Sequence, residues 1–179
     1  RSRNTILFVA GFAHPPNVDA AKWLVNEIFP IIHRKISSAN LLLVGSNPTD
    51  EVKALASKNV SVTGYVTDDK LSQLYISSGV AVVPLRFGAG VKGKVVEALY
   101  YGLPLVTTAV GAQGITGLDK IIPILEKSED IAEMIIDIMS DPELWESISK
   151  NSLAYIATNF SADAMREILQ HDMPLTLRC

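Results

Sequence analysis

Val80-Ala81-Val82-Val83-Pro84-Leu85 runs directly into Arg86-Phe87-Gly88-Ala89-Gly90-Val91-Lys92-Gly93-Lys94, and that turn runs into Val95-Val96-Glu97-Ala98-Leu99. The first part is uninterrupted and β-branched, the pattern of a strand buried on both faces of a parallel sheet. Pro84 falls at its end, where a missing backbone donor is tolerated. The second part holds three glycines and three cations and no acid. The third predicts a helix over about Lys92–Tyr101, apolar around most of its circumference and therefore largely buried. Strand, glycine-rich turn and buried helix in succession form part of a βαβ unit.

The same alternation extends in both directions. Apolar runs at Thr5–Ala10, Leu41–Val44, Val60–Thr63, Leu103–Thr107 and Ile121–Leu125 read as further strands. Helices are expected at about Val18–Lys35, with Asn17 as N-cap and a bend or interruption at Pro30, and at about Asp50–Ser57, Asp68–Ser77, Glu129–Met139, Pro142–Thr158 and Ala162–Gln170. Asp141-Pro142 and Ser161 read as helix starts. The expected fold is α/β, a doubly wound parallel sheet of about six strands with right-handed crossovers. A length of 179 residues fits one domain, 1–179. In such a sheet ligands bind beyond the carboxyl ends of the strands, where the strand order reverses. The turns that bear on function are therefore 11–17, 45–49, 64–67, 85–94 and 108–116.

Turn 85–94 is the one that carries chemistry. Gly88, Gly90 and Gly93 allow close approach to backbone amides, and the following helix offers free N–H groups and the positive end of its dipole. Lys92 and Lys94 in the first turn oppose that dipole by roughly 0.3–1 kcal/mol each. An anion between them reverses the sign, so a phosphate is the expected guest; two solvated lysines are the bland alternative. Glu97 lies three residues past Lys94, placed either to accept two ribose hydroxyls or to form a local (i, i+3) pair with that lysine. Two familiar fingerprints fail here. The literal G-x-G-x-x-G of Gly88, Gly90 and Gly93 does not directly follow its strand, and no acid follows at the ribose distance after Thr107-Thr108-Ala109. The near P-loop from Gly88 to Lys94 continues with Val95, so the magnesium-binding hydroxyl is missing.

Composition narrows the field. A net charge of −3 argues against general nucleic-acid binding. Cys179 is the one cysteine, which excludes an internal disulfide and a cysteine-rich zinc module. His14, His33 and His171 are scattered, so no metal site is expected. His14 reads as a loop histidine with the crevice as its alternative, and His33 as a surface residue near a helix end. Trp23 and Trp145 read as core, and no Ser sits in a nucleophile elbow. No apolar run approaches the roughly 20 residues that cross a bilayer, and no secretory leader is visible. A cytoplasmic location is the expectation.

The stretch Pro84–Leu99, continued by Gly102-Leu103-Pro104-Leu105-Val106-Thr107-Thr108 and Gly111-Ala112-Gln113-Gly114-Ile115, resembles retaining family-4 glycosyltransferases. Ile6–Phe12 with Pro16-Asn17, Leu42–Gly45, Gly64-Tyr65-Val66 and Leu74-Tyr75 continue the likeness, which covers about residues 4–116. The resemblance implies the C-terminal, donor-binding, Rossmann-like half of a bacterial GT-B enzyme of cell-envelope polysaccharide synthesis. Such an enzyme moves a sugar from a nucleoside-diphosphate sugar to an acceptor with retention, without a metal or other cofactor. It implies Glu97 at the ribose, Arg86, Gly88, Gly90, Lys92 and Lys94 at the diphosphate, and Gly11, Gly64, Tyr65, Val66, Gly111, Ala112, Gln113 and Gly114 near the base or sugar. Phe160-Ser161 resembles the start of a terminal helix, about 160–172, that crosses to the partner domain.

On this reading an N-terminal acceptor domain, absent from the chain, completes the cleft and provides any peripheral membrane association. The isolated segment is then expected to be inactive. Two departures stand out: Ala89 occupies the place of a second, sugar-contacting glutamate, and 11–17 lacks the usual Arg and Lys. No residue presents itself as a catalytic nucleophile or base. The alternatives are a sugar-nucleotide epimerase half, an NAD-binding oxidoreductase domain and a non-catalytic interaction module.

Overall fold

A computed structural model describes residues 3–160. Five parallel strands, β1 (Thr5–Val9), β2 (Asn40–Val44), β3 (Val60–Val62), β4 (Val80–Val83) and β5 (Leu105–Thr107), lie in the order β3-β2-β1-β4-β5. The chain winds outward from β1 to β3 and then returns to lay β4 on the other side of β1. Right-handed crossovers therefore put α1 (Pro15–Trp23), α2 (Phe29–Lys35) and α3 (Asp50–Lys53) on one face, and α4 (Asp68–Ser77) and α5 (Gly93–Tyr100) on the other. A short helix α6 (Ala109–Ala112) follows β5. Of the last two described helices, α7 (Ser128–Ser140) packs against α2, and α8 (Pro142–Asn159) against α5. This is the doubly wound arrangement that the uninterrupted runs imply. Every residue of β4 and β5 is buried, as a central parallel sheet covered on both faces requires.

Several boundaries differ from expectation. The run 121–125 contributes one parallel bridge, Thr107 to Ile124, flanked by the bonds Thr107 N–H to Pro123 O and Leu125 N–H to Thr107 O. A sixth strand position exists, reduced to a single rung because Pro123 removes a donor and the 3₁₀ turn Leu118–Lys120 consumes the residues before it. The first helix starts at Pro15, not Val18, with His14 at the N-cap position. Asn17 is already inside it, and its side chain turns to Gly11 O at 2.8 Å. Pro30 does not break the helix: residues Leu24–Ile28 widen into a π turn, and the Phe29 N–H bonds Leu24 O. Pro30 then falls in the first turn of α2, where a missing backbone donor is tolerated. The helix expected to Ser57 stops at Lys53. The helix start at Ser161, the helix expected at Ala162–Gln170 and the crossing to a partner domain lie outside the described residues.

Candidate functional site

The strand order reverses between β1 and β4, so the loops that follow these two strands face each other at the carboxyl edge of the sheet. Gly88 lies against the Pro16 ring, 3.4 Å from where a Cβ would stand, and its φ of 118° is one that L side chains rarely adopt. The contact itself would tolerate a Cβ, so it is the backbone conformation of the loop that requires glycine here. On the β2 side lies Gly45. Its φ is 149°, and an added Cβ would stand 1.7 Å from Ala10 O. The Gly45 N–H reaches Gly64 O at 3.1 Å, so the turns after β1, β2 and β3 converge on one rim.

Two cavities open there and share Lys94. One, of about 310 Å³, is lined by Gly11, Gly45, Ser46, Tyr65, Val66, Asp68, Lys94 and Glu97. The other, of about 580 Å³, lies between the loops after β1 and β4, with His14, Asn17, Gly88, Ala89, Lys92 and Lys94 on its walls.

Lys94 is held from two sides. Its Nζ donates to Asn17 Oδ1 at 2.7 Å and lies 5.1 Å from the centre of the Phe8 ring. Burial, and next the charge of Lys92, lower its pKa to about 8, while Glu97 pulls the other way. Among the described residues no carboxylate pairs with it. Glu97 has its own partner: the Tyr75 hydroxyl, on α4, donates to its Oε2 at 2.9 Å. The local Lys94–Glu97 pair is therefore not formed. The cation and the carboxylate each have a tertiary partner and stand one helical turn apart on the same cavity wall.

The other expected residues are placed less directly. Arg86 forms a bidentate pair with Asp19 of α1, with Nε to Oδ2 at 2.9 Å, and lies over the Trp23 ring at 5.2 Å. It lines neither cavity, so its reach to a diphosphate there requires that pair to open. Lys92 folds back on its own loop, donating to Ala89 O at 2.9 Å and to Gly90 O. Helix α5 has no side-chain cap, which leaves the first amides of its N-terminus without a side-chain acceptor. Gly111 is buried in α6 under Thr107 Oγ1, and Ala112 is half-buried beside it. Gln113 and Gly114 are exposed, with Gly114 against Val91 of the glycine-rich loop. This segment backs the loop and does not line the two cavities.

Sequence reasoning passed over Asn17, Tyr75, Asp68 and Ser46 as site residues. Asn17 read as a helix cap and Tyr75 as a family match; only their long-range bonds reveal a role. His14, a loop histidine with the crevice as its alternative, does line the larger cavity. Trp23 is buried as expected, Trp145 is half-buried with its indole bonded to Gly79 O at 2.6 Å, and His33 is half-buried on Phe29. No helix among the described residues is long and apolar enough to cross a membrane.

Comparison with known proteins places this geometry. The fold is similar to that of a Staphylococcus aureus TarM mutant in complex with fondaparinux, alpha-GlcNAc-glycerol and UDP, with 14% identity, a TM-score of 0.78, and coverage of 96% of this chain and 35% of that one. It is also similar to the C-terminal domain of a glycosyl transferase group 1 family protein, LpcC, from Francisella tularensis, with 16% identity, a TM-score of 0.70, and coverage of 88% and 86%. An uncharacterized 44.6 kDa protein in the cps region of Klebsiella pneumoniae is 22% identical over 166 residues, 88% of this chain and 42% of that protein. The chain thus spans less than half the length of the Klebsiella relative. Its architecture is the Rossmann-like half of a GT-B fold. Residues 3–141 match the family described as Glycosyl transferases group 1, and the chain belongs to that family.

Proposed function

We propose that the domain is the donor-binding half of a retaining family-4 glycosyltransferase, gripping a nucleoside-diphosphate sugar at the β1–β4 switch point. One observation carries this reading: Lys94 and Glu97 line a single cavity where the turns after β1, β2 and β3 meet. The carboxylate suits two ribose hydroxyls. The ammonium, without a carboxylate of its own among the described residues, suits a phosphate. Gly11, Gly64, Tyr65 and Val66 flank the base side. Lys92, Gly88, Gly90 and the uncapped amides of α5 extend the diphosphate side. Arg86 joins only by exchanging Asp19 for phosphate, which its planar fork fits equally well.

In that reaction this half stabilises charge building on the departing diphosphate. Amides and cations fixed in a site that excludes water do this with little reorganisation. The acceptor comes from an N-terminal domain elsewhere in the polypeptide. The cps region of the Klebsiella relative supports a place in cell-envelope polysaccharide synthesis.

The test is calorimetric titration with UDP, GDP, ADP and NAD. Saturable binding of one nucleoside diphosphate, weakened in both Lys94→Ala and Glu97→Ala, is expected. A preference for NAD would overturn the reading.

A further inference from the structure

Glu97 is exposed and its side chain has several free torsions, yet one of its oxygens is tied down. The tie comes from Tyr75, which is 1% exposed. Its ring is stacked on Tyr101 with centroids 5.2 Å apart and planes 9° from parallel. The Tyr101 hydroxyl in turn is 2.7 Å from Ser72 Oγ. Ser72 and Tyr75 belong to α4, Glu97 to α5, and Tyr101 to the C-terminal cap of α5. The two helices are thus joined by two hydrogen bonds with a ring stack between them, and this fixes where the phenol points.

We propose that Tyr75 is a positioning residue that holds Glu97 in the orientation needed to accept both hydroxyls of a ribose, so that the α4–α5 tyrosine stack underlies recognition of the vicinal diol. The inference rests on the donor-binding reading above. A carboxylate has about four lone-pair sites. With the phenol on Oε2, Oε1 and the second site of Oε2 remain for a ligand, and Glu97 is among the residues that line the cavity. Two adjacent hydroxyl donors match these acceptors, while a 2′-deoxyribose leaves one unpaired. The phenol does not compete by losing its own proton, because burial and the neighbouring carboxylate push its pKa upward. A Glu97 free to rotate would have to be ordered by each incoming ligand.

The experiment compares wild type, Tyr75→Phe, Glu97→Ala and the double variant by calorimetry. The probes are UDP, GDP and ADP, the 2′-deoxy form of whichever binds tightest, and inorganic pyrophosphate. Tyr75→Phe is expected to weaken the ribonucleotide about tenfold, to weaken the 2′-deoxy form much less, and to leave pyrophosphate unchanged. In the Glu97→Ala background the same substitution should change nothing. Equal losses for the ribose and deoxyribose forms, or a full loss in the Glu97→Ala background, would show general support of the fold and overturn the positioning role. An unchanged ribonucleotide affinity overturns it too. A wild-type chain that binds no nucleoside diphosphate overturns the donor reading itself, and the role of Tyr75 with it.

Discussion

At the scale of single residues the site is organised around a partly buried cation. The Lys94 pKa, lowered to about 8 from its ordinary 10.5, lies below that of the unfolded chain. Between those values the unfolded chain keeps a proton that the folded chain has released, so this group makes stability rise with pH across that window. Below about pH 8 both states are protonated and the cost of burying the charge is fully present. A bound anion reverses the balance by favouring the charged form. Affinity for a nucleoside diphosphate should therefore fall as pH rises through about 8, with proton uptake on binding in that range. Titrations in buffers of different ionisation enthalpy measure both, and Lys94→Met should remove the dependence. Lys94→Ala and Glu97→Ala should each weaken binding by about ten- to a hundredfold, the scale of a hydrogen bond to a charged group. Arg86→Ala should cost about threefold or less, because the guanidinium is engaged with Asp19. A loss from Arg86→Ala as large as that from Lys94→Ala would show that the Asp19 pair opens in the complex.

At the scale of elements, caps and glycines set where the site loops begin. Thr108 caps α6, accepting from the Gly111 N–H at 3.2 Å while its own hydroxyl bonds Leu85 O, which ties the β5 turn to the end of the β4 run. Asp141 caps α8 by accepting from the Glu143 and Leu144 N–H groups at 2.8 and 3.2 Å. Asp141→Ala should cost about 1 kcal/mol, a fall in Tm of roughly 2–4 °C in thermal unfolding, with no change in nucleotide affinity. Gly45→Ala is a different case, since its Cβ would overlap the Ala10 carbonyl. No side-chain movement relieves a backbone clash, and the expected outcome is loss of cooperative unfolding. Helix starts such as Asp68 and Pro142 were legible because caps and helix-compatible prolines are local signals. The π turn at Leu24–Ile28 was not, because proline allows either a kink or a widened turn and the packing of α1 and α2 on their neighbours chooses between them.

At the scale of the whole molecule, the carboxyl edge of the sheet is one wall of a cleft in the proposed enzyme. On the proposed reading, residues 1–179 alone should bind donor yet transfer no sugar, because that reading assigns acceptor binding to another domain. Product formation from a labelled nucleotide sugar measures this. Appreciable turnover by this chain alone would mean that it contains a complete active site.

Alternating apolar runs and amphipathic stretches by themselves determined a doubly wound sheet, and the glycines and lysines between Gly88 and Lys94 marked the loop where an anion is expected. Those signals are local: a strand buried on both faces needs a continuous apolar run, and a tight loop needs glycine. Only the tertiary structure decided which charges are free to act. Arg86, Lys92 and Lys94 look equivalent along the chain, yet Asp19 lies 67 residues from Arg86 and Asn17 lies 77 from Lys94. Tyr75 is likewise 22 residues from the carboxylate it holds. Lys92 turns back on its own loop, but Arg86, Lys94 and Glu97 acquire their roles from partners that folding brings to them and that no short window of sequence contains.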